Sequence, residues 1–176
     1  RVLSARYCNK LIAFAEDAGL LTCEAGTTLD DILRIFVPRG WFPAVTPGTK
    51  IITVGGAIAA DVHGKNHHRD GTFCDHVRSF DLMTADGSVL SCSRTEHADR
   101  FATTCGGMGL TGVILRATVE LQRVRTAYIR EELVPARDLD EIMDLFEASG
   151  DWPYSVAWID CLARGRRMGR SVMMRG

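Results

Sequence analysis

Residues 53–68 read TVGGAIAADVHGKNHH, the densest run of potential chemistry in this 176-residue chain. It opens with the glycine pair Gly55-Gly56. Glycine lets a backbone approach a ligand closely, with amide groups free to donate hydrogen bonds to an anion. Ala57, Ala59 and Ala60 keep side-chain bulk low and leave room for something flat. His63 and Lys65 then supply titratable donors at the edge of that space. That order would serve a phosphate-bearing cofactor and a reacting group together. Taken by itself, the segment is equally a tight turn leading into a packed helix.

Other motifs compete with it. Gly107-Met108-Gly109-Leu110-Thr111-Gly112 matches the dinucleotide fingerprint GxGxxG literally. That fingerprint needs a strand before it and a helix after it, and here a helix precedes and an alternating strand follows. A glycine-rich elbow pressed against another ligand or strand is the better expectation. His63, His67, His68 and His76 raise a metal hypothesis, since His63 and His67 are four apart and would share a helix face. Gly64 and Asn66 oppose a helix there, no HExxH accompanies them, and no metal is expected. Neither a GxSxG elbow nor a Walker A sequence occurs. Trp41, Trp152 and Trp158 read as packing residues by default.

Composition narrows the classes. With 21 Lys and Arg against 22 Asp and Glu, the net charge is −1, which argues against a nucleic-acid partner. Arg164, Arg166, Arg167, Arg170 and Arg175 crowd the tail and predict a solvated surface segment. Apolar residues make up 46% of the chain, enough for a sizeable core. The six cysteines form no CxxC and fit no zinc template, so they are expected as reduced, mostly buried thiols of a reducing, cytoplasmic compartment. No apolar run reaches the roughly 18 residues that span a bilayer. Arg1 stands where an initiator methionine would, so the chain is expected to be part of something longer.

The elements that must position the chemistry follow from periodicity. A hairpin is predicted over 11–24 around Asp17-Ala18-Gly19, then a helix capped at Thr28 with Leu29, Ile32, Leu33 and Phe36 at helical spacing. A short strand over 41–45, a brief helix over 55–60, and a hairpin over 80–92 turning at Asp86-Gly87 come next. A helix over 98–105 and a strand over 113–121 complete this part. Beyond a boundary near 123–125, a strand over 128–134, a helix over 139–148 and a strand over 155–161 are expected. Hairpins dominate, so the fold class is α+β rather than a doubly wound parallel sheet.

Several of these pieces carry a resemblance. Glu24-Ala25-Gly26, Pro47-Gly48, the run from Thr53 to Ala59, and Gly106 to Gly112 before a strand are similar to the PCMH-type flavin-binding domain of the vanillyl-alcohol-oxidase superfamily. His63-Gly64-Lys65-Asn66-His67-His68, His76-Val77-Arg78-Ser79, Leu110 to Ile114, Ala157-Trp158-Ile159-Asp160 and Met168 to Gly176 resemble one branch of it more closely. That branch is the decaprenylphosphoryl-ribose oxidases of arabinan precursor synthesis in the cell wall.

The resemblance implies an FAD cofactor that takes a hydride from a sugar CH–OH, leaving a ketone that a partner reductase then reduces. It implies FAD contacts at Gly48, Thr53, Val54, Gly55, Gly56, Ala60, Asp61, Val62, His63 and Ile114. His63 and Lys65 would be catalytic. Lys65 would stand near the flavin N1 side or a substrate phosphate, and Trp158 would line the substrate side. Residues 1–124 would be the second subdomain of the FAD-binding domain, with an antiparallel-sheet substrate domain beginning at 125–176. On that basis the chain is expected to be a fragment that holds FAD weakly and has no turnover alone. A polyprenyl-linked substrate implies membrane-surface or cell-envelope contact for the whole protein. Two readings compete: an aldonolactone or sugar-alcohol oxidase on the same scaffold, and a non-enzymatic histidine-cluster metal module.

Overall fold

A computed structural model describes residues 4, 5 and 7–176. The chain forms two compact units, Arg1–Gly64 with Asp70–Ala127, and Lys65–Arg69 with Tyr128–Gly176.

In the first unit, β1 (Leu11–Ala15) and β2 (Leu20–Glu24) make the expected hairpin. Its turn ends on Gly19 at φ +66°, where an added Cβ would stand 2.6 Å from the Leu121 carbonyl oxygen. Helix α1 (Leu29–Phe36) starts at the predicted capping box: Asp31 N donates to Thr28 Oγ1 at 3.1 Å and Thr28 N to the Asp31 carboxylate at 3.0 Å. Hydrogen bonds from the Thr28 hydroxyl and amide hold the Asp31 carboxyl below its ordinary range. Then follow β3 (Trp41–Pro43), α2 (Val54–Ala59), β4 (Val77–Met83), β5 (Val89–Ser93), α4 (Ala98–Thr104) and β6 (Val113–Arg123), while α3 (His67–Asp70), between α2 and β4 in the chain, falls in the second unit save for Asp70.

Every pairing in the resulting sheet is antiparallel, in the order β1-β2-β6-β4-β5, with β3 also on β6. The 11-residue β6 is its spine, because β2, β4 and β3 all hydrogen-bond to it. Ala117, Val119 and Leu121 alternate into the core as a half-buried strand requires. There they join Leu21, Ile32, Phe80, Leu82 and Phe101, together with Val54 and Ile58 of α2.

The second unit holds β7 (Glu132–Ala136), α5 (Leu139–Glu147), β8 (Ser155–Ile159) and β9 (Ser171–Arg175), in an antiparallel sheet of order β7-β9-β8. Helix α5 covers one face, setting Ile142 and Leu145 against Val134, Ala136, Ala157 and Met173. Two expectations fail here. The strand predicted at 128–134 lies at Glu132–Ala136, because the ladder starts where Glu132 faces Arg175, and Tyr128 and Ile129 are exposed before it. The arginine-rich tail is not wholly a solvated surface segment: it contains β9, the middle strand, with Met173 fully buried. Arg175 is accommodated by Glu132 and Ser149 at 3.0 Å each and by the Trp152 ring, 4.8 Å away. Arg164, Arg166, Arg167 and Arg170 are exposed as expected.

All six cysteines are free thiols. Cys23, Cys74 and Cys92 are buried, Cys105 is half-buried, and Cys8 and Cys161 are exposed, so half rather than most are buried. Burial pushes the Cys23 thiol up to about 11.

Candidate functional site

Helix α2 is fastened at both ends, and its fastenings decide what it can do. At its start Thr53 caps the helix, its Oγ1 accepting from Gly56 N at 3.1 Å. Val54 N donates to the Thr27 carbonyl and Gly55 N to the Ala25 carbonyl, both at 2.8 Å. Ala57 N donates to the Thr53 carbonyl at 2.8 Å. The amides of the glycine pair are therefore spent inside the protein, which corrects the expectation that they are free to bind an anion. The glycine at 55 serves close approach instead: a Cβ there would come within 2.9 Å of the Ala25 Cβ. Ala25 and Thr27, the carbonyls that hold this end, were not singled out as positioning residues. The sequence carries no signal for a pairing between segments that far apart.

At its other end, the Ile58 carbonyl accepts from Asp61 N and Gly106 N, each at 3.1 Å, and the Ala59 carbonyl from Met108 N at 2.8 Å. The glycine-rich elbow, expected against another ligand or a strand, thus caps the end of helix α2. Met108 sits at φ +53° and Gly109 at φ +75° to make that approach. Asp61, itself at φ +42°, turns the chain out of α2, and its Oδ1 accepts from Cys74 N at 3.0 Å. Val62 exchanges the chain onward through Phe73 N, and His63 bridges Thr72.

The ten residues proposed to touch the cofactor all fall in the first unit, mostly along one continuous path. Gly48, Gly56, Ala60 and His63 are exposed, and Thr53, Gly55, Asp61 and Val62 are half-buried. Val54 and Ile114 are different. Both side chains lie in the core, Ile114 opposite Leu82 in the sheet, so neither offers its side chain to a ligand. Lys65 and Trp158 belong to the second unit. There the Lys65 carbonyl accepts from Ser155 N at 2.9 Å, just where β8 begins. His68 Nε2 meets the Trp152 carbonyl at 3.0 Å, and Arg69 donates to the Asp151 carbonyl at 3.2 Å. Residues 65–69 form a strap on that unit, and α3 is the short helix that Gly64 and Asn66 argued against. Those two residues precede the helix rather than interrupt it.

Trp158 departs from its packing default. It is 74% exposed, because α5 covers the Ala157 and Met173 face of the sheet and Trp158 lies on the other, opposite Val172. His76 is engaged at both ring nitrogens, by the Asp70 carbonyl at 2.8 Å and by Glu120 at 3.5 Å. Among the described residues no three His, Cys, Asp or Glu side chains converge as a metal-binding group.

Near Gly48 a cleft of about 280 Å³ opens between α1 and the 46–50 loop, lined by Leu29, Leu33, Phe42, Thr46 and Lys50 among others. Thr46, Thr49 and Lys50 flank the Pro47-Gly48 turn, and that turn is the signal in the sequence that leads to them. An added Cβ at Gly48 would meet nothing within 4 Å and the φ there is not positive, so the fold itself does not demand glycine. Gly48→Ala is therefore expected to leave the unfolding midpoint essentially unchanged, within about 0.5 kcal/mol. The same variant is expected to weaken FAD uptake by full-length protein, read by flavin fluorescence titration. Wild-type affinity in Gly48→Ala would remove Gly48 from the cofactor site.

Residues 1–93 match the family of FAD binding domains. The chain is 40% identical over 179 aligned residues to decaprenylphosphoryl-beta-D-ribose oxidase of Mycolicibacterium smegmatis, covering 99% of this chain and 39% of that protein. It is 44% identical over 148 residues to an uncharacterized protein in the mprA 5' region of Streptomyces coelicolor, covering 84% of this chain and 40% of that one. A mouse L-gulonolactone oxidase is 32% identical over 136 residues, 77% of this chain and 30% of its own length. The chain thus spans less than half the length of the relatives it matches. An α+β unit of helices on an antiparallel sheet, with a family match over residues 1–93, assigns this chain to the FAD-binding domain family of the FAD-linked oxidases.

Proposed function

We propose that this chain belongs to an FAD-dependent oxidoreductase that oxidises a sugar CH–OH to a ketone, with a polyprenylphosphoryl ribose, oxidised at its 2-position, as substrate. The observation that carries the substrate class is the likeness to a decaprenylphosphoryl-ribose oxidase over 99% of the chain, against 77% for the gulonolactone oxidase. The longer match runs through the unit that holds Lys65 and Trp158. In this reading residues 1–124 are the second subdomain of the FAD-binding domain and residues 125–176 begin the substrate domain.

The residues present fit a flavin nucleotide. The unfilled space at Gly48 and the small exposed residues Gly56 and Ala60 leave surface for a flat ring system. Asp61, Val62 and His63 continue that surface, and Thr53, Val54, Gly55 and Ile114 support it through main chain. When bound, FAD supplies the acceptor for the carbinol hydride. His63 takes the proton of the reacting hydroxyl oxygen. Lys65 shares a unit with Trp158, which favours its ammonium holding the substrate phosphate over the flavin N1 side. The exposed Trp158 ring offers an apolar face to the sugar or prenyl chain. A partner reductase completing an epimerisation, and a cytoplasmic protein working at the membrane surface or cell envelope, complete the proposal. No helix of the described residues is long and apolar enough to cross a membrane.

The test is the visible spectrum of purified full-length protein. A flavin spectrum that bleaches on anaerobic addition of polyprenylphosphoryl ribose is expected. In Lys65→Ala the same flavin should need about ten-fold or more substrate to bleach, the loss of one charge-assisted hydrogen bond. Flavin that bleaches only with a sugar lactone would transfer the substrate to the aldonolactone class, and protein taking up no FAD would overturn the reading.

A further inference from the structure

The carbonyl of Ile58 at the end of α2 gathers more than the elbow. It also accepts from the Cys74 thiol at 3.4 Å, while Gly106 N reaches the same oxygen at 3.1 Å. Cys105 immediately precedes Gly106 at the end of α4, so a cysteine thiol and the residue next to a second cysteine, 31 positions apart, meet at one carbonyl, and each thiol shifts the ionisation of the other. Their surroundings differ. Cys74 is buried on the Phe73–His76 turn, whereas Cys105 is half-buried and reachable from solvent.

We propose that Cys74 and Cys105 are a redox-active pair, in which a hydroperoxide oxidises Cys105 and Cys74 resolves it to a disulfide. The Cys105 thiolate attacks one peroxide oxygen, the O–O bond breaks, and hydroxide leaves, giving a sulfenic acid. The Cys74 sulfur then attacks the Cys105 sulfur, and the sulfenic hydroxyl departs as water with the thiol proton. In sum, two thiols become one disulfide and one hydrogen peroxide becomes two waters.

Ionisation favours this division of roles. A hydrogen bond from Cys74 lowers the Cys105 thiol against the opposing effect of burial, with Arg94 also lowering it and Asp61 and Asp75 raising it. Cys74 is raised by the same hydrogen bond and by burial. Its single proton can point to the Ile58 carbonyl or to the Cys105 sulfur, and a thiolate is the stronger acceptor. The crosslink would tie the 73–76 turn to the end of α4 around residues 58–62. Its effect on cofactor binding rests on the flavin reading; the crosslink itself does not.

Peptide mapping of the full-length protein after limiting hydrogen peroxide tests the pair, with free thiols alkylated before trypsin. The peptides 70–78 and 101–116 are expected to appear joined and to separate with dithiothreitol. In Cys74→Ser, dimedone is expected to trap a sulfenic acid on Cys105. Recovery of both wild-type peptides singly and alkylated, while Cys8 or Cys161 oxidises, would overturn the proposal, as would crosslinks joining Cys74 to any other cysteine.

Discussion

Phe80→Ala is expected to destabilise the first unit by about 3–5 kcal/mol, the range for removing a buried aromatic ring. Phe80 is 2% exposed in the middle of β4, with Cys92 and Ala117 as its strand neighbours. Neither neighbour is large enough to collapse into the space the ring would leave. On the helix side its ring stacks on Phe101 of α4, centroids 5.0 Å apart at 14°, and the Arg94 guanidinium lies 5.5 Å from the Phe101 centroid. The substitution thus costs the transfer of the ring, a cavity that relaxes only partly, and the contact that docks α4 on the sheet. Urea unfolding followed by circular dichroism reads the loss, and Phe80→Leu should recover more than half of it. A destabilisation below about 1.5 kcal/mol would mean that the β4–α4 contact is not the centre of this core.

Gly55→Val should be comparably damaging for the opposite reason. Even a Cβ at this position would stand 2.9 Å from the Ala25 Cβ and 3.2 Å from the Ala25 oxygen, so two further methyl groups have no space. Ala25 cannot retreat easily, since its own N–H bonds the Leu115 carbonyl of β6 at 2.9 Å. The start of α2 must lift, losing the Gly55–Ala25 hydrogen bond. Overpacking and that lost bond together amount to about 2–4 kcal/mol. Because α2 leads into residues 60–63, FAD uptake by full-length protein should fall further than in Gly48→Ala, where no clash arises. A Gly55→Val protein with wild-type melting and wild-type flavin content would dissolve the link between this approach and the cofactor surface.

What the sequence made legible was local. The Asp17-Ala18-Gly19 and Asp86-Gly87 turns, the Thr28 capping box and the alternation of β6 each declare themselves within a few residues, and each stands as read. The failures are non-local. β9 hid inside an arginine-rich tail because the Glu132 carboxylate that neutralises Arg175 and the Ser149 hydroxyl that accepts from it come from other parts of the chain. The shift of β7 was set by where its partner strand ends, not by the β-propensity of Tyr128 and Ile129. The candidate site behaved the same way. Residue types pointed to the 53–63 path, but which amides were already taken depended on the carbonyls of Ala25 and Thr27. Trp158 read as packing because a strand does not say which face its helix will cover.

The strap at residues 65–69 has a consequence for how such a protein can change over time. The second unit is not one stretch of chain: five of its residues are inserted between halves of the first. An exchange of everything beyond residue 127 with a homologue would leave those five behind, facing carbonyls and amides of a stranger. Working hybrids must therefore inherit residues 65–69 together with the tail, so strap and tail are heritable only as a matched set.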